Sequence, residues 1–525
     1  MTQDAAHSSL HSALSTSLGS GAAFLAGMYM VARPIANPFA PYSGEAGFTG
    51  LVAVLLVFCV GLWALLGKRA LCAPDKLTAA VVLWLGLLLY GVLHSANLGV
   101  AVPQGCDAAI YILLLLCGYF AARREPALAG ILARVLVAMA VVEAFAAVWQ
   151  HYVDLPAMWR EIRERRELLP ETLESTSGQY RLYGDEVFGT LCNPNSLAAY
   201  LVVGLWLLAG LCWKPAGGQP AGKSQCALGV VLFVLMSAAL FFTRSKAGGL
   251  AYLAGAWFFV VQRLGLKSPE RGRLLVRLTI VGLIVMLAYL ALGLLGLCWA
   301  PRSLAVRFEY WKAALKMICA HPLSGVGLGG FAEYYPFFKT PLGAETTEAH
   351  NDYLHLWAEL GVLGPLLYLG LWALLLRRNG PLTLPSPAKG EGNGQAPLTL
   401  PSPARGEGNE HDGRSRDLEN WAICGGVAGF ILMYCAFNVF NSGDVVLLLN
   451  GTVNTRTLGS AFHTLALPGI FICVVVGLRP AAAGLCASNP AAWLHGLRAA
   501  SGAVLIHEIV AAMQGRLTVR ELAAL

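Results

Sequence analysis

A chain of 525 residues that is 57% hydrophobic and 13% charged is too apolar for an ordinary soluble protein, in which about one quarter of the residues carry charge. Its formal charge of +7 gathers in short loops beside apolar runs, so it marks membrane topology and lends no support to a nucleic-acid partner. What these bounds leave is an all-α polytopic membrane protein in contact with membrane lipids.

The N-terminus, "MTQDAAHSSLHSALSTS", lacks the basic start of a cleavable signal peptide and reads as a polar cytoplasmic leader over residues 1–20. Runs apolar around the whole helix, near the roughly twenty residues a bilayer core requires, predict about twelve spans. They fall near 22–31, 48–66, 77–94, 108–122, 128–149, 196–213, 227–242, 248–261, 274–299, 353–376, 421–440 and 458–478. Alternate loops are basic, with Lys68, Arg69 and Lys76, then Arg123 and Arg124, Lys214 and Lys223, a cluster from Arg263 to Arg277, and Arg377 with Arg378. The opposite loops carry little beyond Arg33, Arg244, Lys246 and Arg456, so both termini are expected on the cytoplasmic side.

The domain plan is a membrane domain over 21–376, a cytoplasmic loop over 377–420, C-terminal spans within 421–480 and a cytoplasmic tail over 481–525. Two outward segments, 151–189 and 300–352, are too long to be simple turns. The first holds "MWREIRERRELLPETLE", which suits either a short helix in the headgroup region or a solvated connector. The cytoplasmic loop holds a tandem repeat, "PLTLPSPAKGEGN" from Pro381 and "PLTLPSPARGEGN" from Pro397, whose composition offers no apolar face to bury and predicts a disordered, passive insertion. The thirteen cysteines show no metal-ligand spacing, and nothing in the spacing of Cys298 and Cys319 demands a disulfide.

The polar residues next to the spans carry the chemistry. In "RFEYWKAALKMICAHPLSGVGLGGF" the spacing of Arg307, Trp311, Ala314, Leu315 and Ile318 predicts a short helix with one apolar face, ended by Pro322. Gly325, Gly327 and Gly329 follow, a turn that serves either as a flexible connector or as a set of N–H groups for an anion. His350 then precedes Asn351 and Asp352, both helix-capping types, which puts the histidine at the outer mouth of the span predicted over 353–376. Such a position favours neutral imidazole, able to accept a proton or simply to cap. Arg244 and Lys246 lie on the same outer side, where cations are depleted unless needed, although Arg244 also suits snorkelling. Arg181 reads equally as a ligand or as a solvated loop residue. Arginine forks bind phosphate oxygens and remain charged, so the set suits a lipid-linked phosphate without a metal or other cofactor. The carboxylates nearby are scattered.

These segments resemble the signature of the bacterial O-antigen ligase and O-antigen polymerase superfamily. "RFEYWKAALKMICAHPLSGVGLGGF" and "EAHNDYLHLWAELGVLGPLLYL" are similar to its core, and "FGTLCNPNSLAAYL" and "FFTRSKAGGL" to its upstream motifs in the expected order. The resemblance implies an inner-membrane glycosyltransferase of the GT-C type that takes a glycan from undecaprenyl diphosphate on the periplasmic face. Lipid A core, another glycan or a protein would accept it. It further implies that His350 is the essential loop histidine and that Arg244 and Arg307 face the diphosphate, with Arg181 less securely carried over. Two departures stand out: the family's Ser-Arg-Gly-like motif is here Thr243-Arg244-Ser245-Lys246, and the repeat is foreign to it. These roles require the imidazole at 350 and the guanidinium groups at 244 and 307 to converge in one cavity.

A transporter of lipid-linked glycans is the alternative of another class. Arg134 and Glu143 in the fifth span are its main candidates, although local pairing explains them as well.

Overall fold

The computed structural model describes residues 2–36, 44–65, 76–164, 185–191, 193–212, 223–267, 269–297, 302–341, 343, 345–377, 407–431, 433, 462 and 466–478. Arg181, Cys298, the repeat up to residue 406 and the tail lie outside this set.

Among the described residues the chain is helical, with no strands. In order run α1 (Thr2–Ile35), α2 (Gly44–Leu65), α3 (Lys76–His94), α4 (Leu98–Arg124), α5 (Pro126–Trp149) and, after a π-helical turn at Gln150–Asp154, α6 (Leu155–Glu164). Then come α7 (Pro194–Cys212), α8 (Lys223–Phe242), α9 (Lys246–Lys267), α10 (Pro269–Leu294), α11 (Arg302–Ala320) and α12 (Phe331–Phe338). The last four are α13 (Asp352–Leu360), α14 (Leu363–Arg377), α15 (Glu407–Ile431) and α16 (Leu467–Gly477).

Among the described residues seven segments are long and apolar enough to cross a bilayer: Ser12–Ile35, Lys76–His94, Leu98–Ala121, Gly130–Arg160, Pro194–Cys212, Ser224–Phe242 and Arg273–Leu294. Shorter apolar helices occupy Gly47–Trp63, Leu363–Leu374 and Leu467–Gly477. The protein is therefore an all-α polytopic membrane protein.

Three elements depart from the sequence expectations. The span expected over 353–376 is two helices, because Gly361 adopts φ 69 and a side chain there would bring its Cβ within 1.9 Å of the Leu323 carbonyl oxygen. The segment around Pro322 fills the break, its carbonyl accepting from Val362 N–H at 3.1 Å and from the Trp357 indole at 3.1 Å. At about 1.5 Å per residue α13 is under half a bilayer core in length. The outer segment expected from residue 151 begins instead as helix, since the π turn absorbs one extra residue and carries α5 into α6. On α11 the buried face is Phe308, Tyr310, Ala313, Ala314, Met317 and Ile318, whereas Leu315 is exposed.

The helices divide into two compact units, one formed by Met1–Trp63, Ala121–Phe259 and Arg405–Leu525, the other by Ala64–Phe120 and Val260–Ala404. In the first, α5 is the central helix, with α1, α7, α8, α15 and α16 against it. Its two ionisable side chains have local partners. Arg134 pairs with Glu419 of α15 at 3.0 Å. Glu143, fully buried, accepts from the Thr190 hydroxyl at 2.5 Å and the Thr190 N–H at 3.1 Å. In the second unit α3 packs on α13 and α14, and α11 packs on α10, α12 and α13. A core of Tyr310, Ala314, Met317, Phe331, Tyr335, Ala349 and Ala358 lies beneath the residues around His350.

Candidate functional site

In the first unit, the two upstream motifs meet. Asn193 caps α7, its side-chain oxygen accepting from Asn195 N–H at 2.8 Å, with Pro194 as the first helical residue. Ser245 caps α9 through its hydroxyl, which accepts from Gly248 N–H at 3.1 Å and donates to the Asn195 side-chain oxygen at 2.7 Å. Between these caps Arg244 takes φ 51, and its guanidinium reaches Asp185 at 2.6 Å. Asp185 went unrecognised in the sequence, where it is one of several scattered carboxylates; 59 residues separate it from Arg244. Lys246 is exposed at the start of α9.

In the second unit, the structure brings Arg307 and His350 to the same tyrosine. Arg307 lies half-buried on α11, three residues before Tyr310, and its charge lowers the Tyr310 hydroxyl pKa, although burial, the larger effect, raises it. The Tyr310 ring stands 5.5 Å from the His350 imidazole, centre to centre. His350 is exposed and takes φ 49. Asn351 caps α13, its side chain accepting from Tyr353 N–H at 3.1 Å and Leu354 N–H at 3.3 Å, as its residue type and position predict.

In the glycine turn, which the sequence leaves open between a connector and an anion site, the backbone donors are engaged within the chain. Gly325 N–H donates to His321, Val326 to Ala358, Gly327 to Glu359 and Leu328 to Gly91 carbonyl oxygens. Phe331 N–H donates to the Glu359 carboxyl group at 3.1 Å, and the Gly329 N–H also helps to hold down its pKa. The turn instead meets a carboxyl group of the chain itself, that of Glu359 of α13, buried to 2% exposure. Burial pushes the Glu359 carboxyl above its ordinary value, against the opposing pull of His355 and the two backbone donors.

Among the described residues, the non-glycine residues with positive φ are Arg244 and His350. A left-handed conformation costs an ordinary residue on the order of 1–3 kcal/mol and persists where surrounding structure imposes it, a pattern concentrated at functional sites.

No curated protein and no solved structure matches the chain. Residues 231–369 match the family model described as O-antigen ligase, a stretch that includes Arg244, Lys246, Arg307, the glycine turn and His350. This stretch is therefore similar to an O-antigen ligase domain, in agreement with the resemblance to the O-antigen ligase and polymerase superfamily read from its motifs.

Proposed function

We propose that this protein transfers a glycan from undecaprenyl diphosphate to an acceptor hydroxyl at the periplasmic face of the bacterial inner membrane, with both termini in the cytoplasm. The domain match supports a ligase- or polymerase-type function, and lipid A core is the acceptor we favour, with a growing glycan or a protein as the other acceptors of the same chemistry. The acceptor hydroxyl attacks the anomeric carbon with inversion, and His350 takes its proton. A general base of this kind contributes about 10²–10⁴-fold. Arg244 and Arg307 bind the oxygens of the departing diphosphate, assisted by Lys246 and Arg181. With arginines in this role the leaving-group charge is met without a metal.

The observation that carries this reading is the left-handed backbone at His350 and Arg244, two of the residues whose types and positions suggested the chemistry. Arg134 and Glu143, which would have favoured transport, have local partners in Glu419 and Thr190. In cells, His350→Ala and Arg244→Ala are expected to accumulate lipid-linked glycan while inserting normally into the membrane. Normal transfer by His350→Ala would remove the base assignment, and movement of the lipid-linked glycan without a new glycan product would favour the transporter.

A further inference from the structure

Ala349, the residue just before His350, is fully buried and held on both sides. Its N–H donates to Nδ1 of His355 at 3.5 Å, and its carbonyl oxygen accepts from the Trp311 indole N–H at 3.1 Å. A ring nitrogen that accepts a hydrogen bond carries no proton, so neutral His355 has its proton on Nε2. That nitrogen faces Oε1 of Glu359, one turn further along α13, at 3.6 Å. Glu359 is in turn held by Phe331 N–H at 3.1 Å, and the His355 ring lies 5.1 Å from the Phe331 ring.

A continuous path therefore runs from the glycine turn through Glu359 and His355 to the peptide that leads into His350. The conformation of His350 needs such support. Its φ of 49 is disfavoured for a residue with a side chain, and Asn351 beyond it is already extended, at φ −157, to cap α13. The cap fixes the chain after His350; the His355 and Trp311 contacts fix it before.

We infer that His355, oriented by Glu359, is a positioning residue that clamps the Ala349 peptide and so holds His350 in its left-handed, exposed conformation. The inference rests on the proposed glycan transfer with His350 as base. His355 itself touches no reacting atom.

The test compares purified full-length wild type, His350→Ala, His355→Asn, His355→Gln and His355→Ala in liposomes, with undecaprenyl-diphosphate-linked glycan as donor and lipid A core as acceptor. Release of undecaprenyl diphosphate is the readout. Asparagine retains an acceptor where Nδ1 stands, whereas glutamine moves its amide toward the Nε2 position. Misplacing a reacting group by about 1 Å costs about 10²-fold, so His355→Gln and His355→Ala should lose about that factor in kcat with donor KM unchanged, and His355→Asn should recover most of it. Wild-type kcat in His355→Gln, or a His355→Asn protein no faster than His355→Ala, would overturn the clamp. A measurement on the unmutated protein stands apart from turnover: nitrogen-15 NMR of labelled histidine, with the His355 signals identified by their loss in His355→Asn, should show a bare Nδ1 and a protonated Nε2 at neutral pH. The opposite tautomer would overturn the inference. Absence of transfer by wild type would instead refute the glycan-transfer reading, and full activity in His350→Ala would refute the base assignment alone; either result leaves the tautomer to decide the clamp.

Discussion

Replacing Glu359 by alanine should destabilise the second unit. The carboxyl group accepts from the buried N–H of Phe331, and alanine leaves that donor without a partner. An unsatisfied buried donor costs about 1–3 kcal/mol, and that is the loss expected. Glu359→Gln keeps one acceptor oxygen and removes the charge, and its effect should remain within about 1 kcal/mol. Denaturant unfolding in detergent micelles, followed by tryptophan fluorescence, would read both variants, since Trp311 and Trp357 lie within this unit. The pH dependence adds a second check. Burial raises the folded-state pKa of Glu359 above its unfolded value, so the neutral form is the one folding favours. That contribution is complete below the unfolded glutamate value of about 4.3 and is lost as pH climbs through the raised folded value. Glutamine does not suffer this loss, so the stability of Glu359→Gln relative to wild type should improve as pH rises above that unfolded value. Equal midpoints for Glu359→Ala and Glu359→Gln would refute the idea that this side chain satisfies the glycine turn.

Three further changes address other parts of the structure. Gly361→Ala should unfold or misassemble the second unit, since left-handed backbone alone costs alanine about 1–2 kcal/mol and its Cβ would collide with the Leu323 carbonyl; Gly47→Ala, which meets open space, is the control, and equal expression and melting of the two would contradict the account of the break. Thr190→Val removes the hydroxyl donor to buried Glu143 and should destabilise the first unit by about 1.5–3 kcal/mol, with no change expected if the carboxyl were satisfied elsewhere. Deleting residues 381–409 should leave glycan transfer largely unchanged when measured in cells, because the repeat has no apolar face and carries none of the proposed site residues.

Which features the sequence announced follows from the range of the forces involved. Long uniformly apolar runs identified the helices of the first unit, and the caps at Asn193 and Asn351 were readable because capping depends on residues two or three positions away. The start of α4 was less visible: its first turns carry Pro103, Gln104 and Asp107, which cut the apolar run short of Leu98. The break between α13 and α14 lay under a continuous apolar stretch, although Gly361 followed by Pro365 is a helix-stop signal that could have revealed it. His350 and Arg244 stood out by type and position. Their supports did not, because Asp185 reaches Arg244 across 59 residues and Glu359 binds a turn 28 residues upstream, and no local periodicity records such pairings. The glycine turn read as either a connector or an anion site, and no local pattern tells that the carboxyl group it meets comes from α13.

The base assignment is tested most directly by one comparison, the rate of undecaprenyl diphosphate release by purified wild type and by His350→Ala, at equal folded protein and saturating donor. Loss of a general base predicts a fall of about 10²–10⁴-fold, with donor binding retained. Equal rates would contradict the role given to His350.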